Sequence, residues 1–214
     1  RRSAEAAAGA IGGFLAELKA GWRFLRKETV LLANTLQGAV GQFTVGVTLA
    51  VTPLYARDAI TGGTFDASAV YAFLETGIGL GNLAGGFVMG LIGARLMKGR
   101  LVILGYATWG LCTAALAFTG SLGTAIGLMI GSGVANMVFV IPSQTLFQER
   151  TPPDLIGRVV GFRFALVFGS MTVAMGVGGV LAEAFGAAPV IGAFGVVTLL
   201  AGLAGLLVPA VRDA

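Results

Sequence analysis

Six long apolar stretches, at about 30–52, 69–93, 101–118, 123–147, 160–181 and 189–208, alternate with short polar connections. Each is long enough to cross a ~30 Å hydrocarbon core at 1.5 Å per residue. None alternates polar and apolar positions as the strands of a membrane barrel do, so helices are predicted. Helices also satisfy every backbone polar group within one segment, which lipid requires. Pro53 is expected to stop the first span, Pro142 to bend the fourth, Pro189 to open the sixth and Pro209 to end it. Ahead of the first span, Ile11, Phe14, Leu15, Leu18, Trp22 and Leu25 recur at helical spacing, with Lys19, Arg23, Arg26 and Lys27 on the opposite stripe. This leader reads as an amphipathic helix in the membrane interface, its basic stripe toward anionic lipid. The alternative is a helix packed on another protein segment. The expected organisation is a linker helix at 1–28, a six-helix transmembrane domain at 29–209 and a tail at 210–214.

Composition agrees with a membrane chain. Of 214 residues, 56% are apolar and 11% charged, against roughly 25% charged in soluble domains, and the mean hydropathy is +0.90. The net charge of +4 does not indicate nucleic acid, because the basic residues sit at span edges rather than on one patch. If every stretch crosses, all 14 Lys and Arg except Arg57 fall on one side. They lie in the leader, at Arg95, Lys98 and Arg100, at Arg150, Arg158 and Arg163, and at Arg212. Cytoplasmic loops retain Lys and Arg, which orients both termini inside and requires an even number of spans. With no His and only Cys112, there is no zinc signature, His-based triad or disulfide framework. No metal or cofactor is expected. A membrane-embedded enzyme would need clustered intramembrane acids, His or Cys, which these spans lack. A non-transporting scaffold or assembly subunit and a passive channel stand as alternatives to a transporter.

Polar side chains are unevenly divided among the spans. The first holds Asn34, Gln37, Gln42, Thr44 and Thr48; the second Glu75 and Asn82; the fourth Ser132, Asn136, Ser143 and Gln144; the fifth Ser170 and Thr172. Such groups are costly in lipid and should face a wet cavity or a protein interior. Spans one, two, four and five are therefore expected to surround a polar path, with Asn34, Gln37, Gln42, Asn82, Asn136 and Gln144 as candidate substrate-binding residues. Spans three and six are expected to face lipid. Glu75 is the one carboxylate well inside a span and the candidate proton carrier; the alternative is an interfacial acid paired with Arg57. Gly77, Gly81 and Gly85 form a smooth stripe, Gly86 and Gly90 repeat its spacing, and Gly169, Gly176, Gly178 and Gly179 do something similar in span five. Such stripes allow close helix approach, either as static packing or as surfaces that slide.

The connection from Gly90 to Arg100 carries a more specific pattern: a helix end, a short basic turn and an immediate new helix. It resembles the loop motif of the major facilitator superfamily. Gly90, Arg95 and Lys98 match, while Ala94 stands in place of the acid and Met97 in place of a second glycine. Pro152, Gly157, Arg158 and Val159 are similar to the fourth inner loop in the second half of drug-efflux-like members, and the leader resembles the linker between halves. The resemblance covers essentially the whole chain as spans seven to twelve. It implies an all-α membrane protein, six helices forming one half of a major facilitator fold, in the bacterial cytoplasmic membrane. It further implies proton-coupled, alternating-access efflux of small amphipathic organic molecules such as a drug, macrolide or siderophore. Implied partners are membrane lipid, the small-molecule substrate, and an N-terminal six-helix half of the same protein or a second copy. The start at Arg1 rather than Met leads to the expectation that a first half precedes it. By the family's internal pseudo-symmetry, Arg95 is expected to pair with Glu149 in a conformational latch that also involves Gly90, Lys98 and Arg158. The alternative is that Arg95 and Glu149 are simply solvated charges.

Overall fold

The computed structural model of the protein describes residues 13, 16–60 and 65–212. Residues 16–25 form helix α1. There follow α2 (Thr29–Asp58), α3 (Ala67–Ile92), α4 (Lys98–Ala115), α5 (Leu122–Arg150), α6 (Ile156–Phe185), α7 (Ala187–Ala204) and the single turn α8 (Pro209–Arg212). Short 3-10 turns at Gly93–Arg95, Leu116–Phe118 and Gly205–Leu207 finish α3, α4 and α7. Among the described residues there is no strand. Among the described residues five helices are long and apolar enough to cross a membrane: Thr29–Asp58, Lys98–Phe118, Leu122–Arg150, Ile156–Phe185 and Ala187–Leu207. The remaining expected span, α3, is 26 residues long, but it carries Glu75, Asn82 and several glycines, which lower its hydropathy.

Several boundaries differ from expectation for identifiable reasons. Pro53 does not stop α2, which continues to Asp58. Tyr55 is fully buried and Ala56 nearly so, and the Tyr55 hydroxyl donates to the carbonyl of Leu116 at 2.9 Å. That tertiary anchorage holds the last turns in place despite the donor lost at proline. Pro142 likewise lies inside an unbroken α5. Pro189 is the third residue of α7 rather than the first, still within the turn whose N–H groups lack intrahelical partners. The Gly157-Arg158-Val159 segment belongs to the first turns of α6, not to a loop. Gly186 alone joins α6 to α7, at φ 87° and ψ 158°, a backbone conformation that glycine adopts without a Cβ penalty.

The helices pack chiefly as α2 with α6, α3 with α5, and α4 with both α5 and α7. Lipid tails are as apolar as Leu, so close van der Waals approach must hold such pairs together. Glycine supplies it each time. A Cβ on Gly46 would collide with the Met171 carbonyl of α6, one on Gly81 with the Ile130 carbonyl of α5, and one on Gly110 with the Leu199 backbone of α7. The stripe of Gly77, Gly81 and Gly85 packs closely against α5, and Gly178 packs on Val47. Gly86, Gly90, Gly169, Gly176 and Gly179 have open space where a Cβ would stand. Packed and open glycines therefore lie on different faces of the same helices.

One expectation about lipid-facing spans needs correction. α4 is central, with Tyr106 and Trp109 buried between its neighbours; counting polar side chains alone overlooks aromatic rings that reach inward past a glycine. α4 and α7 do expose Leu104, Leu111, Leu200 and Leu207 on their outer faces. The leader's described part packs on the start of α6: Leu25 is fully buried, Trp22 lies 5.5 Å from Phe162 by ring centroids, and Gly21 backs onto the Arg158 carbonyl. Ile11, Phe14 and Leu15 lie outside the described residues.

Candidate functional site

Two adjoining clefts run along the face made by α2, α4, α5 and α6, with α3 contributing at one end, and they share Val45 and Trp109. The first, of about 100 Å³, is lined by Gln42, Tyr106, Asn136, Phe139, Arg163 and Phe164 among others. The second, of about 180 Å³, is lined by Thr48, Thr52, Glu75, Thr113, Met129 and Ser132 among others. Gly41 on α2 makes room for the floor of the first cleft, since a Cβ there would come within 2.8 Å of the Tyr106 ring. Tyr106, Trp109 and Phe139 form a cluster, with Tyr106–Phe139 centroids 4.2 Å apart and Trp109–Phe139 stacked at 5.6 Å.

At the end of the first cleft a polar network crosses three helices. Arg163 of α6 donates to Gln144 Oε1 at 3.0 Å and to Ser143 Oγ at 2.8 Å. Ser143 Oγ in turn donates to Asn34 Oδ1 at 2.7 Å. The guanidinium also lies over the Phe147 ring at 4.3 Å, a favourable cation–π geometry. Arg163 is only 9% exposed. Sequence reasoning counted it among the edge charges and missed it as a site residue. The available signal was its position inside an apolar run, flanked by Phe162 and Phe164.

The expected substrate-binding residues divide by location. Gln42 and Asn136 line the cleft, and Asn136 Nδ2 donates to Asn82 Oδ1 at 3.3 Å, bridging α5 to α3. Asn34 and Gln144 stand behind the cleft wall and hold Ser143 and Arg163. Gln37 does not belong to this face: it is 7% exposed, and its Nε2 donates to the Ala201 carbonyl of α7 at 3.1 Å. Five residues separate Gln37 from Gln42, which turns them about 140° apart around a helix. Glu75 lines the second cleft. Its alternative partner, Arg57, instead forms a bidentate pair with Asp58 at 2.6 and 2.9 Å.

At the basic end of the bundle the expected Arg95–Glu149 pair is replaced by another. Lys98 Nζ donates to both carboxylate oxygens of Glu149 at 2.9 Å, while Arg95 is exposed in the 3-10 turn. Lys98 opens α4 and faces the last turn of α5, whereas Arg95 still belongs to the turn that finishes α3. Gly90 borders the space beneath this ion pair. Arg158 is exposed at the start of α6, where its carbonyl meets the leader. These contacts, with Arg150 ending α5 and Arg212 ending α8, gather the basic residues of alternate connections at one end of the bundle.

No curated protein matches this chain. A family model described as transmembrane secretion effector, within the major facilitator superfamily, matches residues 1–213. An all-helical bundle with a polar and aromatic cleft along one face agrees with that match over nearly the full length. The chain belongs to the transmembrane secretion effector family of major facilitator membrane transporters.

Proposed function

We propose that this chain forms one half of a proton-coupled exporter of small amphipathic organic molecules, and that its cleft is one wall of the translocation path. The observation that carries the reading is the cleft itself: amides, an acid and a buried base alternate with aromatic rings along one face of an otherwise apolar bundle. A second six-helix unit, the N-terminal half or another copy, would close the path. α3 and α6 flank it, and their open glycines at 86, 90, 169, 176 and 179 would give that unit a smooth surface to move against as the halves rock. The basic end faces the cytoplasm of a bacterial cell in this reading, by the distribution of Lys and Arg. Drug, macrolide and siderophore efflux all fit the mixed polar and aromatic lining.

Glu75 is the proposed proton carrier, exchanging its proton at the end of the second cleft. The polar network at Asn34, Ser143, Gln144 and Arg163 shapes the other end. The Lys98–Glu149 pair ties the start of α4 to the end of α5 and serves as the latch that Arg95 was expected to form. The test is dye efflux from inverted vesicles or proteoliposomes under an imposed pH gradient. Glu75→Gln should abolish gradient-driven uptake while leaving dye binding within about twofold of wild type. Flux that ignores collapse of the gradient in the wild type would mean a channel, and absence of any flux would favour a scaffold.

A further inference from the structure

Arg163 stands about 10 Å along α6 from its start, by its seven-residue displacement, and is 9% exposed. Among the described residues it has no carboxylate partner: the two ion pairs are Arg57–Asp58 and Lys98–Glu149. A guanidinium carries five N–H donors in a rigid fork. Here Nη1 and Nη2 each donate one bond, to Gln144 and Ser143, while the buried Nε has no partner. Removing a charge from water is costly unless it is paired, so a buried arginine with neutral neighbours and spare donors is built for an anion that arrives. Arginine's planar fork matches carboxylate geometry.

The surroundings define the rest of that anion. Arg163 shares its cleft with Gln42, whose Oε1 is buried and also lacks a partner. The same amide carries two N–H donors on Nε2. The walls are the Tyr106, Trp109, Phe139, Phe164 and Phe168 side chains, which suit a flat apolar body. Glu75 lies in the adjoining cleft, so the combined space is polarised, and an anionic group is drawn to the Arg163 end.

We infer that the cleft accepts amphipathic aromatic carboxylates, with Arg163 and Gln42 holding the carboxylate and the aromatic cluster holding the ring. This rests on the reading of the cleft as a substrate path and narrows it to an anionic class. The contact is reversible and forms no covalent bond.

The test is equilibrium dialysis of naphthalene-2-carboxylate against naphthalene-2-carboxamide, using the full-length protein in phosphatidylcholine nanodiscs so that no anionic lipid competes. The carboxylate should bind at least about tenfold more tightly than the amide, the range expected of charge-assisted hydrogen bonds. Arg163→Gln should erase that preference, and Arg163→Lys should keep part of it. Gln42→Leu should weaken the carboxylate several-fold while leaving the amide unchanged. Equal binding of acid and amide to the wild-type protein would overturn the inference without any variant having to fold. A preference that survives in Arg163→Gln would overturn it too. Carboxylate-selective binding without gradient-driven flux would leave the anion site standing and sink the exporter reading. Gradient-driven flux of a cationic dye together with equal acid and amide binding would do the reverse.

Discussion

Tyr55 sits beyond a proline, and its single hydroxyl serves the C-terminal end of another helix. Its proton goes to the Leu116 carbonyl at 2.9 Å, with the Thr119 carbonyl also within reach at 3.1 Å. Both acceptors terminate the α4 segment, where helical carbonyls lack intrahelical partners. Tyr55→Phe keeps the ring packing and removes the donor. It should lower stability by about 1 kcal/mol, measured as thermal unfolding in detergent. Asp66 plays the converse part at a helix start. Its carboxylate accepts the Ala69 N–H at 2.9 Å and the Ser68 hydroxyl at 3.1 Å, and these bonds hold its carboxyl below the usual range. A depressed folded pKa means the cap is fully present above the ordinary carboxylate value and is lost as pH falls through the lower, folded one. Amide exchange over the first turn of α3 should therefore accelerate, relative to intrinsic rates, as pH drops from about 6 to about 3. Asp66→Asn retains a capping oxygen and should remove that pH dependence.

Between elements, glycine decides which faces meet. At the α3–α5 crossing a Cβ on Gly81 would come within 2.9 Å of Gly133 Cα as well as striking the Ile130 carbonyl. Gly81→Ala should cost about 1–3 kcal/mol, the usual range for overpacking. Gly86, five residues on, has nothing within 4 Å. Gly86→Ala should leave thermal stability unchanged or raise it by up to about 1 kcal/mol, because alanine is the better helix former. If a second six-helix unit packs over that face, Gly86→Leu should impair transport while the bundle remains as stable as wild type. Unimpaired transport in Gly86→Leu would place the second unit elsewhere.

For the molecule as a whole, the Lys98–Glu149 pair joins the start of α4 to the end of α5 at the basic end of the bundle, across 51 residues of sequence. Its side chains are 31% and 52% exposed, so its contribution to stability should be under about 1 kcal/mol. Its effect should appear in conformational cycling instead. Lys98→Glu and Glu149→Lys should each slow transport, and the double reversal should restore it, with unfolding temperatures nearly unchanged throughout. Arg95→Glu should have a smaller effect than Lys98→Glu. The opposite ranking in transport assays would return the latch to Arg95.

The long helices, their approximate ends, the segregation of basic residues to alternate connections and the resemblance in those connections are all written in the amino-acid order. These follow from local length, hydropathy and charge, and each is a property of one segment at a time. Glu75, Gln42 and Asn136 were legible as cleft residues because polar groups in an apolar helix have few other places to go. Which way each helix is turned depends on its neighbours and emerges from the packed bundle alone. Gln37 and Gln42 are the same residue type on the same helix, yet one bonds α7 and the other lines the cleft. Arg163 resembled an edge charge until α5 placed Ser143, Gln144 and Phe147 around it. Lys98, not Arg95, reaches Glu149 because Lys98 already belongs to the first turn of α4. The rotation of each helix is set by glycine contacts between helices, which no single segment's pattern contains.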